Sequence, residues 1–133
     1  MTPLLTRDQI LSASDLTFEI VPVPEWGGDV RVRSLSGKER DAFEASILTI
    51  RSGGKTRLNP ADMRAKLVSR CIVNENGERL FTDADITMLS AKSAAALQRV
   101  FEAAQRLSGL SDQDVEELEE GLKNDQPADS PSV

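Results

Sequence analysis

The chain has 133 residues, of which 39% are hydrophobic and 29% charged, and its formal net charge is −6. A chain of this length buries one hydrophobic core, so a single domain is expected over residues 1–122. The lack of His removes the most common catalytic base and metal ligand. Because Cys71 is the single Cys, an internal disulfide is ruled out. No apolar run reaches the roughly 20 residues that a membrane-spanning helix needs.

Helix starts are the clearest local signal along the chain. A hydroxyl residue three positions before Gln, Glu or Asp can form a capping box, because each side chain can bond the backbone amide of the other. Four such pairs and one Asn-Pro start predict helices that begin near residues 7, 37, 60, 83 and 112. The starts are Thr6 with Gln9, Ser36 with Glu39, Asn59 with Pro60, Thr82 with Asp85, and Ser111 with Asp114.

Two strands are predicted between the first two helices. Leu16, Phe18 and Ile20 alternate with polar residues in the first strand. Val30 and Val32 alternate with Arg residues in the second. This period of two is typical of half-buried strands, so these apolar side chains are expected to face the core.

The turn between the strands, residues 25–29, carries the only Trp and two Gly, which permit positive φ. Pro22 and Pro24 remove amide donors, so the first strand must lie at a sheet edge or end there. Trp26 can anchor a partner or fold back over the end of the core, and the second interpretation is favoured because the chain has few aromatic residues.

The middle of the chain is polar and basic. Residues 51–57 contain two Gly and no apolar side chain, which predicts an exposed loop. Residues 51–70 hold a basic excess, but no aromatic lies between Phe43 and Phe81 and the net charge is negative. Nucleic acid is therefore not expected as a partner.

A second short hairpin is predicted from residues 71–73 and 79–81, with Gly77 in the left-handed position of its turn. Cys71 lies in an apolar run and is interpreted as a buried structural thiol. The acidic residues nearby do not make a calcium loop, because Ile72 would occupy the position that requires a carboxylate. The sequence thus predicts no catalytic, cofactor-binding or metal-binding residue, and the protein is not expected to be an enzyme.

The C-terminal third contains two predicted helices. Ser90 and the Ala-rich run 91–96 begin one whose apolar stripe makes it central to the core. The acidic helix over residues 110–122 has a narrow apolar stripe that can dock on the core or on a partner. Residues 123–133 are predicted to be a disordered tail. The candidate partner-binding residues are Leu110, Val115, Leu118, Leu122 and, secondarily, Trp26.

These elements predict an α+β fold that is mainly α, with a small N-terminal β-hairpin packed on a bundle of about five helices. The charge is uneven, +2 over residues 1–70 and −8 over residues 71–133. Such asymmetry can steer head-to-tail association between copies, so a homo-oligomer is a candidate assembly, although two solvated helix faces explain the same pattern.

Three segments together resemble the tail assembly chaperones of siphophages. Their order and spacing carry the resemblance, which spans about residues 15–120. The segments are VPEWGGDVRVRSLSGKERDAFE (23–44), IVNENGERLFTDAD (72–85) and KSAAALQRVFEAAQRLSGLSDQDVEEL (92–118).

The resemblance implies a non-enzymatic late protein that binds the tape measure protein, keeps it soluble and helps recruit tail tube subunits. It implies action in the host cytoplasm and absence from the mature virion. Many members have a longer form made by ribosomal frameshifting, which would contact the tail tube protein, and this chain resembles the shorter form. Lys123-Asn124 is a candidate slippery site. The alternatives are a structural head-tail or tail component retained in the virion and a small acidic cytoplasmic adaptor.

Overall fold

The computed structural model describes residues 3–53 and 60–124, with side chains over 3–47 and 62–118. Within these residues it contains six α-helices, two short 3-10 turns and one three-stranded sheet, so the predicted α+β, mainly α fold is confirmed. No helix within the described residues is both long and apolar enough to cross a membrane. The elements are α1 (Arg7–Ser12), β1 (Phe18–Val23), β2 (Gly28–Arg33), α2 (Gly37–Gly53), α3 (Pro60–Cys71), β3 (Ile72–Val73), α4 (Ile86–Ser90), α5 (Ala94–Leu107) and α6 (Asp112–Asn124), with 3-10 turns at Pro24–Trp26 and Asp83–Asp85.

The sheet is antiparallel in the order β1-β2-β3. β1 lies at its edge, as the two prolines predicted, and it continues through Pro22 to Val23. Val32 in the middle strand pairs with Glu19 on one side and Ile72 on the other. Helix α5 packs on β1 and β2, so the sheet and this helix share the core.

The prediction that the alternating apolar residues of the first strand face the core is wrong. Phe18 and Ile20 are exposed, Leu16 precedes the strand, and Val21 and Val23 are buried instead. β1 has apolar residues on both faces, so the period of two does not decide which face is inward. The packing of α5 decides it, and Arg106 of α5 also pairs with Glu19, on the same face as Val21, at 2.6 Å.

Local capping sets most helix starts where they were predicted. In α2 the amide of Glu39 donates to Ser36 Oγ at 3.1 Å, and the amide of Ser36 donates to Glu39 Oε1 at 2.9 Å. α2 then continues to Gly53, so the predicted loop over residues 51–57 is wrong for 51–53, and residues 54–57 lie outside the described part.

The second hairpin forms but is short. Val73 bridges Arg79, and the amide of Leu80 donates to the Ile72 carbonyl at 3.1 Å. Gly77 has φ of 83°, as its turn position required. Cys71 is the last residue of α3, so it belongs to a helix and not to the predicted strand.

Helix α5 is central to the core, as predicted, but it begins later. Ser93 caps it by accepting a hydrogen bond from the Ala96 amide at 3.2 Å, whereas Ser90 Oγ donates to the Thr87 carbonyl within α4. The helix predicted to start near residue 83 is a 3-10 turn that leads into α4. α6 extends to Asn124, and the remainder of the predicted tail lies outside the described residues. The buried residues of α5 are Ala96, Leu97, Val100, Phe101, Ala103 and Ala104.

Candidate partner-binding surface

Exposed large hydrophobic side chains in the described part of the chain form two groups of four. One group lies in the N-terminal segment before β1. The other lies on the folded body, where its members line two grooves of about 750 and 540 Å³ that share Leu80. We call this second group, with Trp26 and Phe81, the groove surface. Its exposed members are Phe18, Ile20, Leu80 and Met88, and their exposed fractions are between 44% and 65%.

The larger groove lies over the outer face of the sheet. Phe18 and Ile20 reach it from β1, and Arg31 of β2 places its guanidinium 4.0 Å from the centre of the Phe18 ring. The same Arg31 donates to the Glu75 carbonyl at 2.8 Å. This side chain therefore ties the second hairpin to the sheet and holds one wall of the groove in place.

The smaller groove lies between the turn after β1 and helix α4. Trp26 and Phe81 are half-buried against the core, and Met88 projects from α4. The Trp26 Nε1–H is buried and has no hydrogen-bond acceptor among the described residues, so apolar packing sets the position of the ring. Trp26 thus folds back onto the core, as favoured, and one side of it still borders a surface open to a partner.

An ion pair fixes the Trp26 turn to helix α5. Arg99 donates to both carboxylate oxygens of Glu25, at 2.8 and 2.9 Å. These hydrogen bonds lower the pKa of Glu25 to about 2. Because a bidentate pair restricts both side chains, the wall beside Trp26 is anchored to the central helix.

The predicted stripe on α6 packs against this protein's own core. Leu110 is 3% exposed and belongs to the core, and Val115 and Leu118 are half-buried beside it. Arg40 of α2 approaches Asp114 at 3.7 Å, which links the two helices. The side chain of Leu122 lies outside the described part. The structure does not bring this stripe and Trp26 into one groove, and its role in partner binding stays a prediction.

The basic residues of α3 are partly used within the fold. Lys66 is buried, and this burial lowers its pKa. Arg70 approaches Asp83 at 3.6 Å. Cys71 is fully buried, and loss of solvation raises the pKa of its thiol to about 12, which fits a structural thiol. No cluster of potential metal ligands occurs in the described ranges 3–53 and 60–124.

The sequence interpretation missed the groove surface because it placed Phe18 and Ile20 in the core. A signal for it was present, since Val21 follows Ile20 directly and gives β1 apolar residues on both faces. Leu80 and Met88 had no such signal, because single apolar residues between polar ones are common on protein surfaces.

Comparisons with known proteins agree with the resemblance seen in the sequence. No curated protein and no solved structure matches the chain significantly. The family described as phage tail assembly chaperone matches residues 6–121, a range that contains the sheet, both grooves and most of α6. The match covers most of the chain, so the protein belongs to the phage tail assembly chaperone family.

Proposed function

We propose that this chaperone binds the tape measure protein, keeps it soluble and helps recruit tail tube subunits. It does this in the host cytoplasm and is absent from the finished virion. The family supports an assembly chaperone, whose partners are proteins, and the observation that carries the finer proposal is the groove surface. A chaperone for a long client needs apolar surface that its own core does not use, and this surface meets that need.

The groove surface fits weak, reversible binding of an amphipathic helix. It is shallow and apolar, and its rim carries charges of both signs, among them Asp85 and Lys92. Met88 and Leu80 are flexible side chains that can adapt to successive apolar residues of a helical client. Several copies bound along one client can then hold it in solution while each single contact stays weak.

The predicted stripe on α6 is the second candidate contact. The candidates here are Leu110, Val115, Leu118 and Leu122. Leu110 precedes α6 and is buried, and Val115 and Leu118 are half-buried, so these three would bind the client only if this segment moved away from the core. The groove surface requires no such movement. It is therefore the preferred client site, and Trp26 is the predicted residue that it includes.

Recruitment of tail tube subunits is assigned to a longer, frameshifted product. The candidate slippery codons are those of Lys123 and Asn124. The gene sequence tests this site directly. If the tRNAs cannot pair again with the shifted codons, frameshifting at this site is excluded. Proteomics of purified virions tests whether this protein is absent from the finished particle. A stoichiometric amount in the virion would favour the alternative function, a structural component of the particle.

Co-expression with the tape measure protein, followed by native mass spectrometry of the soluble fraction, tests the proposed function. The wild type should keep the client soluble with several copies bound. The double variant Ile20→Thr, Met88→Gln should lose this activity, and the exposed polar change Lys38→Gln is the matched control. Far-UV circular dichroism should show the same helix content in all three proteins.

The variant Val115→Ser, Leu118→Ser distinguishes the two candidate sites. Solubilisation that survives this change but not the groove change places the client on the groove surface. The opposite result places it on α6, as the sequence alone predicted. A client that is equally soluble without the chaperone would contradict the proposed function itself.

A further inference from the structure

We propose that the N-terminal arm, residues 3–14, docks on the groove surface of a second copy, so that two copies exchange arms. The arm carries the other group of exposed hydrophobic side chains, and their exposed fractions are between 56% and 96%. The chain thus presents both halves of an apolar interface. The four side chains are Leu4, Leu5, Ile10 and Leu11.

Helix α1 within the arm is already formed, but its side chains are exposed. The Gln9 amide donates to Thr6 Oγ at 3.3 Å, and the Thr6 amide donates to Gln9 Oε1 at 2.9 Å. Leu5 and Ile10 flank this cap at the positions of a hydrophobic staple. No residue of the helix is buried. A six-residue helix is marginal in water without tertiary contacts, so a docking partner would supply the stabilisation that it lacks.

The apolar area is sufficient for a specific dimer. Complete burial of one aliphatic side chain removes about 100 Å² of apolar surface, so the four exposed arm residues offer roughly 300 Å² per copy. A reciprocal exchange covers two arms and an equal area of two grooves, roughly 1,200 Å² in total, which reaches the about 1,000 Å² of a specific interface.

Charge and chain direction are compatible with exchange. The arm carries Arg7 and Asp8, and the rim of the smaller groove carries Asp85 and Lys92, so charges of both signs meet without net repulsion. The chain leaves the sheet at Thr17, where its amide donates to Ser34 Oγ at 3.0 Å. This bond fixes the exit of the arm at the start of β1. The groove beside Trp26 adjoins the opposite end of that strand, so the arm leaves the sheet of its own chain at the end of β1 that is away from this groove.

Arm exchange would cover the surface that the proposed function assigns to the client. The arm then shields the groove surface until the client displaces the arm. This shielding role rests on the proposed function. Self-association itself does not depend on the client, so it can be tested with the purified full chain alone.

The fluorescence of Trp26 reports the exchange, because it is the only Trp and it borders the smaller groove. We expect a dimer with blue-shifted emission at high concentration, and a monomer with red-shifted emission on dilution. Light scattering gives the mass. The variant Leu4→Ser, Leu11→Ser should weaken dimerisation at least about 100-fold, because it removes half of the apolar contacts of each arm. The control Lys38→Gln, an exposed polar position outside the arm and the groove surface, should behave as the wild type.

A mixing experiment separates arm exchange between two copies from docking of the arm within one copy. One protein, Leu4→Ser, Leu11→Ser, keeps Trp26 and the groove. The other, Ile20→Ser, Leu80→Ser, Met88→Ser, Trp26→Phe, keeps the arm but loses most of the apolar side chains of the groove surface. A blue shift that appears only on mixing supports docking between copies.

Three results would overturn the proposal. The wild type could be monomeric at all concentrations with unshifted emission. The arm variant could change the emission without any concentration dependence, which would mean that the arm docks on its own groove. The dimer could also persist unchanged in the arm variant, which would place the interface elsewhere. Dimerisation without client binding would contradict only the proposed function.

Discussion

A matched pair of substitutions, Val23→Thr and Ile20→Thr, measures which face of β1 is buried. Both changes introduce Thr, which is β-branched like the residues that it replaces, so strand propensity changes little. Val23 is completely buried, whereas Ile20 is 58% exposed. The structure therefore predicts a large cost at one position and a small cost at the other.

The magnitudes follow from burial. At Val23 the new hydroxyl replaces a methyl group in an apolar site, and a buried hydroxyl without a partner costs about 2 kcal/mol. At Ile20 less than half of the side chain is shielded, and Thr retains part of the apolar surface, so the loss is about 0.5 kcal/mol. For a chain of 133 residues these values correspond to melting temperatures lower by about 8 °C and about 2 °C.

Urea unfolding followed by far-UV circular dichroism gives both free energies of unfolding. The protein should be dilute, because self-association through the groove surface would add concentration-dependent stability. Equal denaturant slopes for the two variants would show that the unfolded state is unchanged. A greater loss at Ile20 than at Val23 would refute the assignment of the buried face and, with it, the groove surface.

Two further predictions concern ionisable side chains. Arg99→Gln should return the pKa of Glu25 from about 2 toward its ordinary value of 4.5, measured by NMR titration of the carboxyl group, and an unchanged pKa would contradict the bidentate pair. Because the folded-state pKa lies below the ordinary value, the stabilisation from Glu25 is complete above pH of about 4.5 and is lost as the pH falls toward 2. Cys71 should react with a thiol reagent only after denaturation, since burial raises its pKa to about 12, and rapid labelling of the native protein would show that the thiol is accessible.

The starts of the helices could be predicted from the sequence because capping is local. Ser36 with Glu39 and Ser111 with Asp114 form their boxes across three residues, so neither needs the rest of the fold. The same applies to β1, because the missing amides of its prolines require a strand that lies at a sheet edge or ends there, and β1 lies at an edge. Not every local signal was read correctly: Ser90 was predicted to begin the Ala-rich helix, but Ser93 caps it and Ser90 bonds within α4.

The family could also be recognised from the sequence, because its segments occur in the expected order along the chain and the match covers residues 6–121. The open apolar surface that we propose for the client could not be predicted from the sequence. The stripe on α6 looked available, yet Val115 and Leu118 pack on the core. Ile20 looked buried, yet it is exposed.

The sequence by itself determined where most helices begin, that β1 lies at an edge or ends at its prolines, and which family the chain belongs to. These features depend on interactions between near neighbours or on the order of segments along the chain. Only the tertiary structure decided which face of β1 is inward and which apolar side chains remain open. Those choices depend on how α5 and α6 pack against residues far away in the chain, and an apolar pattern on both faces of a strand fits either arrangement.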